Sequence, residues 1–144
     1  MNSVLPPVLI AVLVAIAGLH AYWGTGGRWP AKDEAALAGL VIGKTPGKRM
    51  PPPLACFAVA VAILIGTCLI AAASYGQVQG LLGRLLAFAY CIFTAVFVLR
   101  GLAGYLPKLW APSIETPFFA LNRRYYSPLC LALGAGLIFN LLGR

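Results

Sequence analysis

Polar residues that could do chemistry are few in this sequence, and the densest group of them lies at residues 122–127. The stretch holds Asn122, Arg123 and Arg124, two tyrosines and Ser127. Arginine binds phosphate or carboxylate through two parallel hydrogen bonds, so the stretch is a candidate anion site. Adjacent side chains on a helix diverge by about 100°, and we predict that Arg123 faces inward beside Asn122. The alternative is that both arginines only anchor the chain at a membrane surface.

Three more residues are candidates because of where they lie: His20 and Arg100, each near the end of an apolar run, and Glu115 in a link. Each is costly in hydrocarbon unless it is paired, so we predict that they meet at one membrane depth. The predicted ligand-binding set is His20, Arg100, Glu115, Asn122 and Arg123. Other roles stay open: an interfacial position for His20, a structural ion pair for Glu115, and snorkelling for Arg100.

Catalytic residues cannot be named from this sequence, because it offers no recognisable nucleophile–base pair. The four cysteines lie in or beside apolar segments without a C-x-x-C spacing, and we interpret them as small packing residues. A single histidine without a second strong ligand does not predict a metal site, and no cofactor is predicted. These observations favour a protein that is not an enzyme.

Four long apolar segments must position these residues: 4–24, 54–74, 85–106 and 125–143. The chain is 61% hydrophobic and 10% charged, whereas a soluble surface needs about 25–35% charged residues. About 20 apolar residues cross a bilayer as a helix, and the segments lack the strict alternation of barrel strands. We predict an all-α, polytopic membrane protein: a single domain, residues 1–144, with four transmembrane helices. The first segment could instead be a signal peptide, but its apolar run is long and no Lys or Arg precedes it.

Local signals indicate where the helices begin. Ser127 followed by Pro128 is typical of an N-cap and a first helical residue, so the fourth helix is predicted to begin there. Such a helix is short for a bilayer unless the residues before it complete the crossing. Residues 31–41, with acidic residues leading, predict a short surface helix. Thr116 and Pro117 predict a second short helix that lies in the interface.

The distribution of basic residues predicts the orientation. We call residues 25–52 link one, residues 75–84 link two and residues 107–124 link three. Nine of the eleven basic residues lie in link one, in link three or at Arg100. Because a basic excess marks the cytoplasmic side, both termini are predicted to lie outside the cytosol. The net charge of +8 suits anionic headgroups, whereas the dispersed basic residues do not suggest nucleic-acid binding.

The stretches 19–23, 26–30 and 121–130 resemble a bacterial family of small four-helix membrane proteins known only as a domain of unknown function. The R-x-Y-S-P-L-C sequence at residues 124–130 is the strongest part of the resemblance. It implies that the end of the first helix and the start of the fourth are the signature of the family. It implies no activity, substrate or cofactor.

The predicted location is the bacterial inner membrane, and three classes of function remain. The first is binding of an anionic lipid or amphiphile at a polar cluster on the cytoplasmic face. The second is an accessory or assembly subunit of a membrane complex, with a homo-oligomer or another membrane protein as partner. The third, a small transporter, is the weakest, because no carboxylate lies within a span.

Overall fold

The computed structural model describes residues 4–143, and Arg144, which was counted among the basic residues, lies outside that range. No strand occurs within the described range, so the prediction of an all-α chain is confirmed. The helices are α1 (Leu5–Gly24), α2 (Glu34–Val41), α3 (Pro53–Tyr75), α4 (Gly80–Ala103), α5 (Pro117–Leu121) and α6 (Ser127–Leu142). A π-helical turn, Asn122–Tyr126, joins α5 to α6, and short 3-10 turns occupy Pro46–Lys48 and Pro107–Ser113.

Four helices are long and apolar enough to cross a membrane: α1, α3, α4 and the continuous helix Pro117–Leu142. The protein is therefore a four-helix, multi-pass membrane protein. Prolines fit the first turn of α3, because the backbone N–H groups of a first turn have no acceptor within the helix. In link one, Asp33 caps α2, because its side chain accepts a hydrogen bond from the backbone N–H of Ala36 at 2.8 Å.

The fourth long helix does not begin at Ser127, contrary to the prediction from sequence. Ser127 has helical backbone angles and makes no capping hydrogen bond, and the helix runs on from Pro117. Pro128 therefore lies inside a helix. There a proline ring conflicts with the carbonyl four residues earlier, and proline has no N–H to donate to it. The π turn immediately before it widens the helix at that point. The residues before Ser127 complete a 26-residue helix, so α5 is not a separate interfacial helix.

The core of the bundle lies where α1 packs on α3 and α4 packs on α6. Leu9, Leu13 and Ala17 follow one another at four-residue spacing on α1 and are buried, as helical periodicity requires. Small residues bring the other pair together: a Cβ added at Gly134 of α6 would lie 2.7 Å from the Val98 side chain of α4. The remaining core members are Ile63, Ile70, Tyr90, Leu133 and Leu137.

A polar clasp joins three helices at the opposite end of the bundle from links one and three. Asn140 of α6 exchanges hydrogen bonds with Ser74 of α3 at 3.2 and 3.3 Å, and its amide also donates to the Tyr90 hydroxyl at 3.1 Å. Tyr90 in turn donates to the carbonyl of Leu137. Asn140 therefore makes interhelical hydrogen bonds, as an amide within an apolar span requires.

Links one and three contact each other and cover one end of the bundle. The backbone N–H of Lys44 donates to Ser113 Oγ at 3.0 Å, and the Tyr126 hydroxyl donates to the carbonyl of Leu40 at 3.1 Å. Gly43 allows this approach, because its φ is +99° and an added Cβ would collide with Ser113. The two basic links thus share one side, as a four-span topology predicts.

Candidate functional site

The candidate site is centred on Arg100 at the end of α4, under the layer formed by links one and three. Its Nη2 donates to the side-chain oxygen of Asn122 at 2.9 Å. Asn122 is fully buried, and its amide nitrogen donates back to the carbonyl of Gly104, just beyond α4, at 3.4 Å. One amide therefore ties the guanidinium to the π turn and the π turn to the end of α4.

The π turn brings Ser127 onto the same face as Asn122. The backbone N–H of Ser127 bonds the Asn122 carbonyl five residues before it, and the Ser127 hydroxyl donates to Asn122 Oδ1 at 3.3 Å. Both residues are fully buried. In a regular α-helix, residues five apart point in different directions, so the widened turn is what aligns them. A Cβ at Gly104 would occupy the position of the Ser127 hydroxyl, so only glycine leaves room here.

An aromatic ring from link three covers the guanidinium. The Trp110 ring lies over Arg100, with 5.2 Å between the guanidinium carbon and the ring centroid. The indole N–H of Trp110 donates to the carbonyl of Ala103 at 2.8 Å, which holds the ring in place. Phe118 packs on Trp110 at 5.1 Å between centroids, and Tyr126 packs on Phe118. Such a cation–π contact stabilises the charge by about 0.5–2 kcal/mol.

The charge of Arg100 is nevertheless incompletely compensated. Its Nη1 atom is buried and has no hydrogen-bond partner among residues 4–143, although the residue as a whole is half-buried. No ion pair with a carboxylate is present within the same range, and the one acceptor bonded to Arg100 there is the neutral amide of Asn122. A guanidinium withdrawn in part from water without a counter-charge loses free energy of solvation. The arrangement can therefore hold an oxygen of an anion, which would supply the missing acceptor and the opposite charge together.

The predicted site residues occupy three different environments. Arg100 and Asn122 are joined directly. His20 lies elsewhere at the same end of the bundle, where Nδ1 bonds the carbonyl of Ile16 at 2.8 Å and the ring packs edge-on against Trp23. Glu115 is exposed and forms no ion pair with any other described residue.

Arg123 and its neighbour are both exposed, contrary to the expectation that one of them faces inward. Arg123 lies over the ring of Phe119 at 5.8 Å, and Arg124 over Tyr125 at 5.5 Å. Asn122, the first residue of the π turn, faces the bundle instead. The inward arginine of the site comes from α4, far along the sequence.

Sequence reasoning did not identify Ser127, Trp110 and Gly104 as residues of this site. Ser127 was interpreted as a cap, and the five-residue spacing from Asn122 becomes meaningful only in a π turn. Nothing in the sequence around Trp110 indicates that its ring contacts Arg100. For metals, no group of three or more His, Cys, Asp or Glu side chains comes together within residues 4–143. The four cysteines are free thiols.

Comparison with known proteins identifies the family of this chain. No curated protein and no solved structure matches the chain. The model of a family described as "Protein of unknown function (DUF3995)" matches residues 13–137, which include all four long helices in whole or in large part and every residue of the Arg100 site. The match covers most of the sequence, and the chain therefore belongs to the DUF3995 family.

Proposed function

We propose that this protein binds an anionic amphiphile, with the negatively charged headgroup held by Arg100 and the π turn at one face of the bacterial inner membrane. The observation that carries the proposal is the buried Nη1 atom of Arg100, which has no hydrogen-bond partner among residues 4–143. A guanidinium that exchanges part of its hydration for one neutral amide and one ring loses free energy of solvation. A phosphate or carboxylate oxygen at Nη1 would recover much of that loss.

The position of the site favours an amphiphile over a small soluble anion. Arg100 lies in the last turn of a long apolar helix, where headgroups meet hydrocarbon. Val96, one turn before Arg100, and Leu99, the residue before it, are exposed apolar side chains of α4 that would contact acyl chains. The excess of basic residues in links one and three favours a cytosolic position for this face and would attract anionic lipid to it. On this proposal α2 rests in the interface, and membrane lipids are the partners.

Retention of bound lipid tests the proposal. The full chain would be reconstituted in nanodiscs with phosphatidylcholine and phosphatidylglycerol, and the lipid that stays bound after extraction would be measured by native mass spectrometry. Arg100→Gln should lose phosphatidylglycerol retention about tenfold or more, because it removes the charge and most of the donors. Arg123→Lys and Arg124→Lys are matched controls that should retain the lipid, because both side chains are exposed.

A second measurement avoids mutation of a residue that stabilises the fold. Lysophosphatidylglycerol should raise the melting temperature of the unaltered protein more than lysophosphatidylcholine does, because the choline cation of the second lipid offsets the charge of its phosphate. An equal rise with inorganic phosphate alone would indicate a soluble anion instead of an amphiphile. If retention is equal in all the variants and neither anion stabilises the protein, Arg100 is structural and the accessory-subunit interpretation is favoured.

A further inference from the structure

A groove lies between the end of α1, the start of α3 and link one, apart from the Arg100 site. Its volume is about 170 Å³, and His20 and Trp23 form one wall. Ile42 and Met50 of link one, with Cys56 and Val59 of α3, form much of the rest. None of these residues takes part in the hydrogen bonds or ring contacts around Arg100.

His20 lines this groove, and one of its two ring nitrogens is used within its own helix. Its Nδ1 is 2.8 Å from the Ile16 carbonyl, and a carbonyl can only accept, so Nδ1 carries the proton. In the neutral ring the other nitrogen, Nε2, then has a lone pair and acts as an acceptor. A bound group that hydrogen-bonds to neutral His20 must therefore donate, as a hydroxyl does.

The walls of the groove favour an uncharged, apolar occupant. No lysine, arginine, aspartate or glutamate is among the residues that line it in the described part of the chain, although link one carries five basic residues. Trp23 is held in position, since its indole N–H donates to the carbonyl of Trp29 at 2.9 Å and its ring packs on His20 at 5.2 Å. A rigid aromatic wall of this kind suits a flat ring.

We propose that this groove binds the hydroxylated ring of a small neutral compound, of the phenol or quinol class, with the hydroxyl donating to Nε2 of His20. The size agrees, because an apolar cavity of about 150 Å³ accommodates benzene. The inference goes beyond the proposed function: the ligand is neutral, the helix pair is a different one, and Arg100 plays no part.

The test compares two fluorinated rings of similar size by ¹⁹F NMR in nanodiscs, with empty nanodiscs to subtract partition into lipid. 4-Fluorophenol can donate a hydrogen bond, whereas 4-fluoroanisole cannot. The unaltered protein should bind the phenol about fivefold more tightly, the effect of one net hydrogen bond. In His20→Phe, which keeps an aromatic ring but has no acceptor, the two affinities should become equal. His20→Gln, whose side-chain oxygen can accept, should keep part of the preference.

Two further variants keep the outcome interpretable. Val59→Phe fills the groove and should weaken both ligands, which locates the binding. Arg84→Gln, at an exposed residue that belongs to neither site, should leave the preference unchanged. Retention of phosphatidylglycerol reports the anion site separately, so failure of the anion site and failure of this one are distinguishable. Equal affinities in the unaltered protein, or the same preference in His20→Phe, would overturn the inference. Within residues 4–143 the side chain of His20 hydrogen-bonds to its own helix alone, so its replacement should not unfold the protein.

Discussion

Arg100 of α4 and Asn122 of the π turn share a hydrogen bond of 2.9 Å, although 22 positions separate them in the sequence. The bond joins the end of α4 to the π turn in the fourth long helix. Asn122 oxygen also accepts from Ser127, and its nitrogen donates to Gly104. This one buried amide therefore organises the site while leaving the positive charge of Arg100 uncancelled.

Replacing Asn122 with leucine should lower the free energy of unfolding by about 2–4 kcal/mol. The change removes the one acceptor bonded to a buried guanidinium and leaves Ser127 without its partner. Equilibrium unfolding in mixed micelles would measure the loss. Gln77→Leu is the matched control, because that amide is exposed in link two and should change stability by less than about 0.5 kcal/mol. A loss as small as that of the control would show that the amide does not organise the site.

Asn122→Asp should separate the charge of Arg100 from its geometry. A carboxylate at this position keeps an acceptor for Nη2 and adds the counter-charge that Arg100 lacks, so it should compete with a bound anion. We expect a folded protein whose retention of phosphatidylglycerol falls several-fold. Native mass spectrometry beside the unaltered protein measures it. Undiminished retention would argue against Arg100 as the group that holds the headgroup.

Gly104→Ala should destabilise the protein by about 1–3 kcal/mol, because the added methyl group would occupy the position of the Ser127 hydroxyl. Gly18→Ala is the control within a long helix, where an added Cβ meets nothing within 4 Å. It should be neutral or stabilising by up to about 1 kcal/mol. Thermal melts of both variants in one detergent make the comparison. Similar melting temperatures for the two would contradict the close approach at Gly104.

The polar clasp at the other end of the bundle should contribute about 1 kcal/mol, in the range measured for hydrogen bonds between membrane helices. Asn140→Leu and Ser74→Ala should each destabilise the protein, and the double variant should cost less than the sum. A double-mutant cycle in mixed micelles measures that coupling. Strict additivity would mean that the Asn140–Ser74 pair contributes nothing to stability.

Labelling of single cysteines should give the orientation. In a background without the four native cysteines, Lys44→Cys in link one should react with a membrane-impermeant maleimide only after the cells are opened. Gln77→Cys in link two should react in cells with an intact inner membrane. The excess of basic residues in links one and three is the physical reason. The reverse pattern of labelling would invert the topology and move the Arg100 site to the outer face of the membrane.

The sequence by itself predicted the helical class, the four apolar segments and the common side of links one and three. These features depend on local properties: apolar length, prolines such as those before α3, and the absence of carboxylates from the spans. The sequence also allows the role of Asn140 to be predicted, because an amide within an apolar span needs a hydrogen-bond partner on another helix.

Only the tertiary structure decided which residues form the site. The sequence predicted that Arg123 faces inward and that Ser127 begins a helix, whereas in the structure the inward arginine is the half-buried Arg100 and the helix continues through Pro128. The rotation of a helix about its axis, and so the residues that meet a neighbouring helix, depends on every turn before it. A single π turn shifts that rotation by about 100°. Whether a proline begins a helix or lies inside one depends on the packing of the residues before it. Here Phe118, which precedes Pro128 in the same helix, packs against Trp110.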